Sequence, residues 1–194
     1  MKRVLLHCCC APCSSAIIEW MMGHGVEPVL YYCNPNIYPE EEYLIRKNEL
    51  TRYAEKLGLT VVDDDEMLLH GWQEYHARWL AGIKGMEHEP ERGPRCLQCF
   101  RIRLLSAARK CKELGLLEFT TTLASSRWKS LEQITEAGLW AANEVGDIEF
   151  DARNWRKGGL QQRRNELLRE NAFYNQLYCG CEFSREVMHK KGLI

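Results

Sequence analysis

Short apolar runs alternate with longer helical stretches along this chain, and that alternation limits its fold more than any other feature. The run KRVLLHC (2–8) has the continuous apolar character of a buried strand, and SSAIIEWMMGHG after it reads as a helix closed by Gly23 or Gly25. VEPVLYYC (26–33) is a second strand with Pro28 at its start. EEEYLIRKNELTRYAEKLG is a helix ended by Gly58, and LTVVD (59–63) is a third strand. A helical stretch over 66–81 leads through a Gly- and Pro-rich loop to a helix over 97–114. LLEFTTTL (116–123) is a further strand, SLEQITEAGLWAANEVG a helix, and DIEFD a short fifth strand. Strands separated by helices predict an α/β fold: one domain over residues 1–194, with a parallel sheet flanked by helices.

In open sheets of this kind, ligands bind beyond the carboxyl ends of the strands. The loops HCCCAPC (7–13), CNPNIYP (33–39) and LASSRWKS (123–130) should therefore share one edge. The first such loop is often glycine-rich and cradles phosphate at a helix N-terminus. Cysteines take that place here, and no GKS or GKT occurs, which argues against nucleoside triphosphate binding.

Cysteine is the unusual part of the composition, with ten in 194 residues. No run approaches the ~20 apolar residues of a membrane span. The start, MKRVLLHCCCAPC, has too short an apolar run for a signal peptide, so the expectation is a soluble cytoplasmic protein without a membrane partner. In a reducing compartment, abundant thiols point to metal binding or redox chemistry rather than disulfides.

Seven thiols fall into three groups: Cys9, Cys10 and Cys13; Cys96 and Cys99; Cys179 and Cys181. Strand alternation turns Cys8 to the opposite face from Cys9, into the core. Cys33 and Cys111 stand alone and read as plain buried residues. A thioredoxin-type dithiol would use only CAPC. A structural zinc would use four thiolates, which the second and third groups supply. A 4Fe–4S cluster also takes four cysteines from such short pairs and leaves three over for a second ion or a redox dithiol. All three readings remain open on the residues alone, with iron–sulfur favoured by the surplus.

Around these groups, His7 and Asp65 (in the run Asp63, Asp64, Asp65) are candidate proton donors or ligands at strand ends. Arg46, Arg95 and Arg101 are candidate phosphate contacts. The net charge is only −1, but residues 153–169 hold six basic residues against one acid, Glu166, beside Trp155. That combination fits RNA binding and fits a solvated helix face equally well.

The segments LLHCCCAPCS, NPNIYPEEEY, EPERGPRCLQCFRIRL, FTTTLASSRWK and FYNQLYCGCEFS occur in this order, from residue 3 to about residue 184. Together they resemble the cobalamin-independent epoxyqueuosine reductases. The resemblance implies a fold akin to the adenine-nucleotide alpha-hydrolase (PP-loop) class. It also implies reduction of the epoxide of epoxyqueuosine to the alkene, at the wobble base of a tRNA anticodon loop, the last step of queuosine synthesis. The cofactors it implies are a 4Fe–4S cluster and an additional iron ion. By motif the metal-site candidates are Cys9, Cys10, Cys13, Cys96, Cys99, Cys179 and Cys181, with Cys8 in a variable place. An electron donor is implied but not identified. Members often have Ser-Pro before the loop lysine, where this chain reads SSRWK at 125–129. A zinc-structured RNA-binding protein and a metal-free dithiol oxidoreductase are the competing readings.

Overall fold

The computed structural model describes residues 2–194. Five strands form one all-parallel sheet: β1 (Lys2–His7), β2 (Val26–Tyr32), β3 (Val61–Asp63), β4 (Glu118–Thr121) and β5 (Glu149–Phe150), in the order β3-β2-β1-β4-β5. The helices are α1 (Ala11–Gly23), α2 (Glu40–Lys56), α3 (Asp65–Gly82), α4 (Pro94–Glu113), α5 (Leu131–Val145), α6 (Leu160–Glu170) and α7 (Glu182–Lys190). None of these helices is long and apolar enough to cross a membrane.

The inner strands β1, β2 and β4 are buried on both faces because helices cover both. Leu5, Leu6, Leu30 and Phe119 are fully buried, and Ile17 and Ile18 of α1 pack into the same core. Pro28 lies inside β2, opposite Val4 of β1. It is tolerated there because β3 pairs with β2 only from Leu30 onward, so the strand has an open side at Pro28. The chain moves outward from β1 to β3 and then returns to place β4 against the other side of β1. With right-handed crossovers, that reversal puts α1 and α2 on one face of the sheet and α4 and α5 on the other. It also leaves a crevice between the ends of β1 and β4, the usual ligand position in such sheets.

Several boundaries differ from the sequence reading, each for a local reason. β4 ends at Thr121 rather than at residue 123, because the Thr121 hydroxyl accepts the Leu123 amide (3.2 Å) and starts a single 3-10 turn over Thr122–Ser125. Helix α4 starts at Pro94 rather than at residue 97, since proline suits a first helical turn, and this puts Cys96 and Cys99 on the helix. α3 is broken at Gly71, whose φ of 75° no helix interior holds. α6 and α7 lie beyond the last element read from the sequence, and α6 packs on α1.

Candidate metal centre

The site begins where β1 runs into α1. The Cys8 amide still bonds to the Tyr31 carbonyl (2.8 Å), so the strand geometry continues by one residue. Alternation then buries the Cys8 thiol, which donates to the Leu6 carbonyl, and sends Cys9 to the other side. Cys10 has extended backbone ahead of the helix, and Cys13 stands in its first turn. The sulfurs of Cys9, Cys10 and Cys13 all lie within 4.8 Å of one another. Thr122, at the end of β4, accepts the Cys9 amide (3.2 Å) and donates to its sulfur (3.4 Å). Gln176 donates to the Cys10 sulfur (2.8 Å) and leaves its own buried side-chain oxygen without a partner. Hydrogen bonds from the Cys10 and Cys13 thiols outweigh burial and hold Cys9 below the ordinary thiol range, whereas burial pushes Cys10 up.

The other two pairs come to the same place from distant parts of the chain. A cavity of about 540 Å³ is lined by Cys9, Cys13, Cys96, Cys179 and Cys181. Cys99 lies just behind it, packed with Cys181, Trp79 and Phe183. Burial pushes the Cys96 thiol to about 11 and, with Cys179 close beside it, the Cys181 thiol to about 12. Such thiols stay protonated until a metal displaces the protons.

The Cys179–Cys181 segment has no regular structure before α7 and is held by a buried ion pair. Arg46, 2% exposed, pairs with Glu42 on the same helix and donates to the Tyr178 and Cys179 carbonyls (3.2 Å each). The Tyr38 amide bonds to the Gly180 carbonyl (2.8 Å). Gly180 has φ 121°, and a Cβ there would sit 3.1 Å from both Arg46 Nη1 and Ile37 Cγ1. Only glycine lets the two flanking cysteines turn inward against that clamp.

All ten cysteines are free thiols; five of them line one cavity, with Cys10 packed against Cys9 and Cys13 and Cys99 against Cys181. A thiolate-rich donor set excludes hard oxygen-seeking cations and suits zinc, copper(I) or iron–sulfur centres. Two cations stand among the sulfurs, Arg103 buried and Lys129 half-buried in the cavity wall. Burial works against the Lys129 and Arg103 charges, yet negative charge on the neighbouring sulfurs, Cys179 and Cys9 for Lys129 and Cys99 and Cys9 for Arg103, favours both cations and raises them above their ordinary values. The residues present therefore fit a thiolate-bound metal.

Residues outside the thiol groups are placed differently from their sequence reading. His7 is fully buried beneath the loop, with Nδ1 against the Thr121 hydroxyl (2.8 Å) and Nε2 against the Cys33 carbonyl (2.9 Å). Burial, with the Arg103 charge, lowers its pKa to about 3. Both ring nitrogens are engaged by protein groups, and His7 does not line the cavity. Asp65 lies off the cavity and pairs with Lys110 (2.5 Å). Asp63 pairs with Lys47 (2.9 Å), and Asp64 caps α3. Arg95 lines the cavity, but Arg101 pairs with Glu136 instead. Two of the six basic residues of the 153–169 stretch are in ion pairs: Arg163 with Glu19, Glu166 and Glu170, and Arg153, which also stacks on Trp20, with Asp151. Trp155 is 1% exposed and donates to Thr120, so no base can stack on it. Gln176 and Gly180 were not singled out by sequence reading, and Lys129 appeared there only as the loop lysine of SSRWK. The only signal was positional, since each lies within a few residues of a thiol pair or a strand-end loop.

Comparison with known proteins agrees with this arrangement. A family model described as epoxyqueuosine reductase QueH matches residues 4–187. A protein of Histophilus somni named epoxyqueuosine reductase QueH is 44% identical over 183 residues, which is 94% of this chain and 72% of that protein. The Haemophilus influenzae protein of the same name is 43% identical over 94% of this chain and 71% of its own length. That of Thermotoga maritima is 32% identical over 95% of this chain and 91% of its own. With a match over nearly the whole chain and seven cysteines at and just behind one cavity, this chain belongs to the epoxyqueuosine reductase family of oxidoreductases.

Proposed function

We propose that this protein reduces epoxyqueuosine to queuosine at the wobble position of a tRNA, with a 4Fe–4S cluster and one further iron held by Cys9, Cys10, Cys13, Cys96, Cys99, Cys179 and Cys181. The supporting observation is the gathering of seven thiols from three distant stretches at and just behind one cavity. Four satisfy a cluster and three remain. Removing the epoxide oxygen as water takes two electrons and two protons; an iron–sulfur centre held by these cysteines would supply the electrons, renewed by an external reductant.

The chain's own side chains supply the rest. Lys129 lines the cavity, and Cys179, Cys9 and Cys13 around it favour its charged ammonium over the effect of burial, so Nζ carries a proton at the site. With His7 sealed and Asp65 paired elsewhere, Lys129 is our proton donor in place of both. Glu91 is the single carboxylate lining the cavity, against Arg92, Arg95, Arg127, Arg164 and Lys191. Those cations favour the phosphates of a nucleic acid. The wobble base is unpaired in free tRNA, so drawing it into the cavity costs no duplex opening.

The test is anaerobic purification with iron, sulfide and zinc analysis, followed by mass spectrometry of epoxyqueuosine tRNA after incubation with a chemical reductant. About five irons and about four sulfides per chain, together with conversion to queuosine, are expected. Zinc without sulfide, even after reconstitution, would overturn the assignment and favour a structural zinc site.

A further inference from the structure

We propose that Trp128 is a stacking platform at the mouth of the thiol cavity for the nucleotide next to the one being reduced in a single-stranded RNA. The inference rests on the function proposed above and deepens it. Of the six tryptophans, Trp128 is the exposed one, at 70%, and it lines the cavity. An indole left in water at such a place leaves a large apolar face unsatisfied.

The ring is exposed although its backbone is tied down from several sides. Arg92 donates to the carbonyls of Trp128 (2.8 Å) and Arg127 (3.1 Å), and Arg156 donates to that of Lys129 (2.9 Å). Gln133, in the first turn of α5, reaches back to the Arg92 carbonyl (2.8 Å). A ring presented by a fixed backbone loses little freedom when something stacks on it. The Arg127 guanidinium lies 4.9 Å from the ring centroid, which adds a cation at the platform.

Charge selects the occupant. Arg127, Arg164 and Lys191 line the same cavity and take part in no ion pair among the described residues. A ligand with flat faces and a negatively charged backbone matches an aromatic ring set among unpaired cations, which is the chemistry of single-stranded nucleic acid. The reacting base enters the cavity, and its neighbour meets Trp128 at the rim.

The test uses the iron-loaded protein and an anticodon stem–loop carrying epoxyqueuosine, with affinity measured over a salt series and turnover measured in parallel. Trp128→Ala should weaken binding about tenfold to a hundredfold and raise KM by a similar factor. Trp128→Tyr should recover most of the loss. The slope of log Kd against log salt should stay as in the unmodified protein, because stacking releases no counterions, whereas Arg127→Ala should flatten it. Binding of Trp128→Ala within twofold of the unmodified protein, or Trp128→Tyr as weak as Trp128→Ala, would overturn the platform. A protein that binds the stem–loop but never reduces it would overturn the proposed function, and the platform would then stand or fall on affinity alone.

Discussion

Cys8 and Cys9 are neighbours with opposite fates, and the pleat of a strand is the whole reason. The sulfur of Cys8 lies in the core and donates to Leu6, while that of Cys9 joins Cys10 and Cys13. Cys8→Ala should therefore keep its iron and activity and lose about 1 kcal/mol of stability, whereas Cys9→Ala should lose both iron and activity. Metal analysis of the two purified variants checks this directly. The alternation was legible in the sequence. The surroundings of His7 and Asp65 were not, because the ends of β1 and β3 look alike to a reader of sequence but differ in what packs against them. Lys129→Met should lower kcat by about a hundredfold, the usual size of a lost general acid, and single-turnover assays on the iron-loaded variant would measure it. If His7 were the donor instead, Lys129→Met would turn over normally.

At the scale of elements, the second and third thiol pairs sit on different kinds of support. Cys96 and Cys99 ride on the first turns of α4, whose start at Pro94 holds them by ordinary helix geometry. Cys179 and Cys181 depend on a loop, and the loop depends on Arg46 of α2. Arg46→Met should release that segment and leave Glu42 buried without its partner, costing on the order of 3 kcal/mol. Thermal unfolding would report the loss, and faster release of iron to a chelator would report the loosened loop. An Arg46→Met protein with unchanged melting and unchanged iron release would mean that the loop is held by something other than this clamp. The arginine was visible in the sequence as a candidate phosphate contact. Its burial against carbonyls about 130 residues away was not, since nothing local to α2 signals a partner so distant.

At the scale of the whole molecule, the chain is nearly neutral and its charge is uneven in a way that only the fold resolves. Arg163 belongs to the most basic stretch of the sequence yet spends its charge on Glu19, Glu166 and Glu170. Arg164 beside it lines the cavity and pairs with no carboxylate among the described residues. For an anticodon stem–loop, Arg164→Ala should lower the salt slope of binding by about 0.7, the value for one single-strand phosphate, while Arg163→Ala should change it little. Equal effects would show that the ion pairs of Arg163 open when RNA binds. By itself the sequence determined the alternation of strands and helices, hence a parallel sheet, the existence of three thiol groups, and the place of the first of them at the ligand-binding edge. These are local signals, written in periodicity and spacing. The tertiary structure alone decided which charges are free, that Trp155 is sealed while Trp128 is exposed, and that His7 is spent on Thr121 and Cys33. Burial and pairing depend on residues far apart in the chain, and no local pattern encodes them.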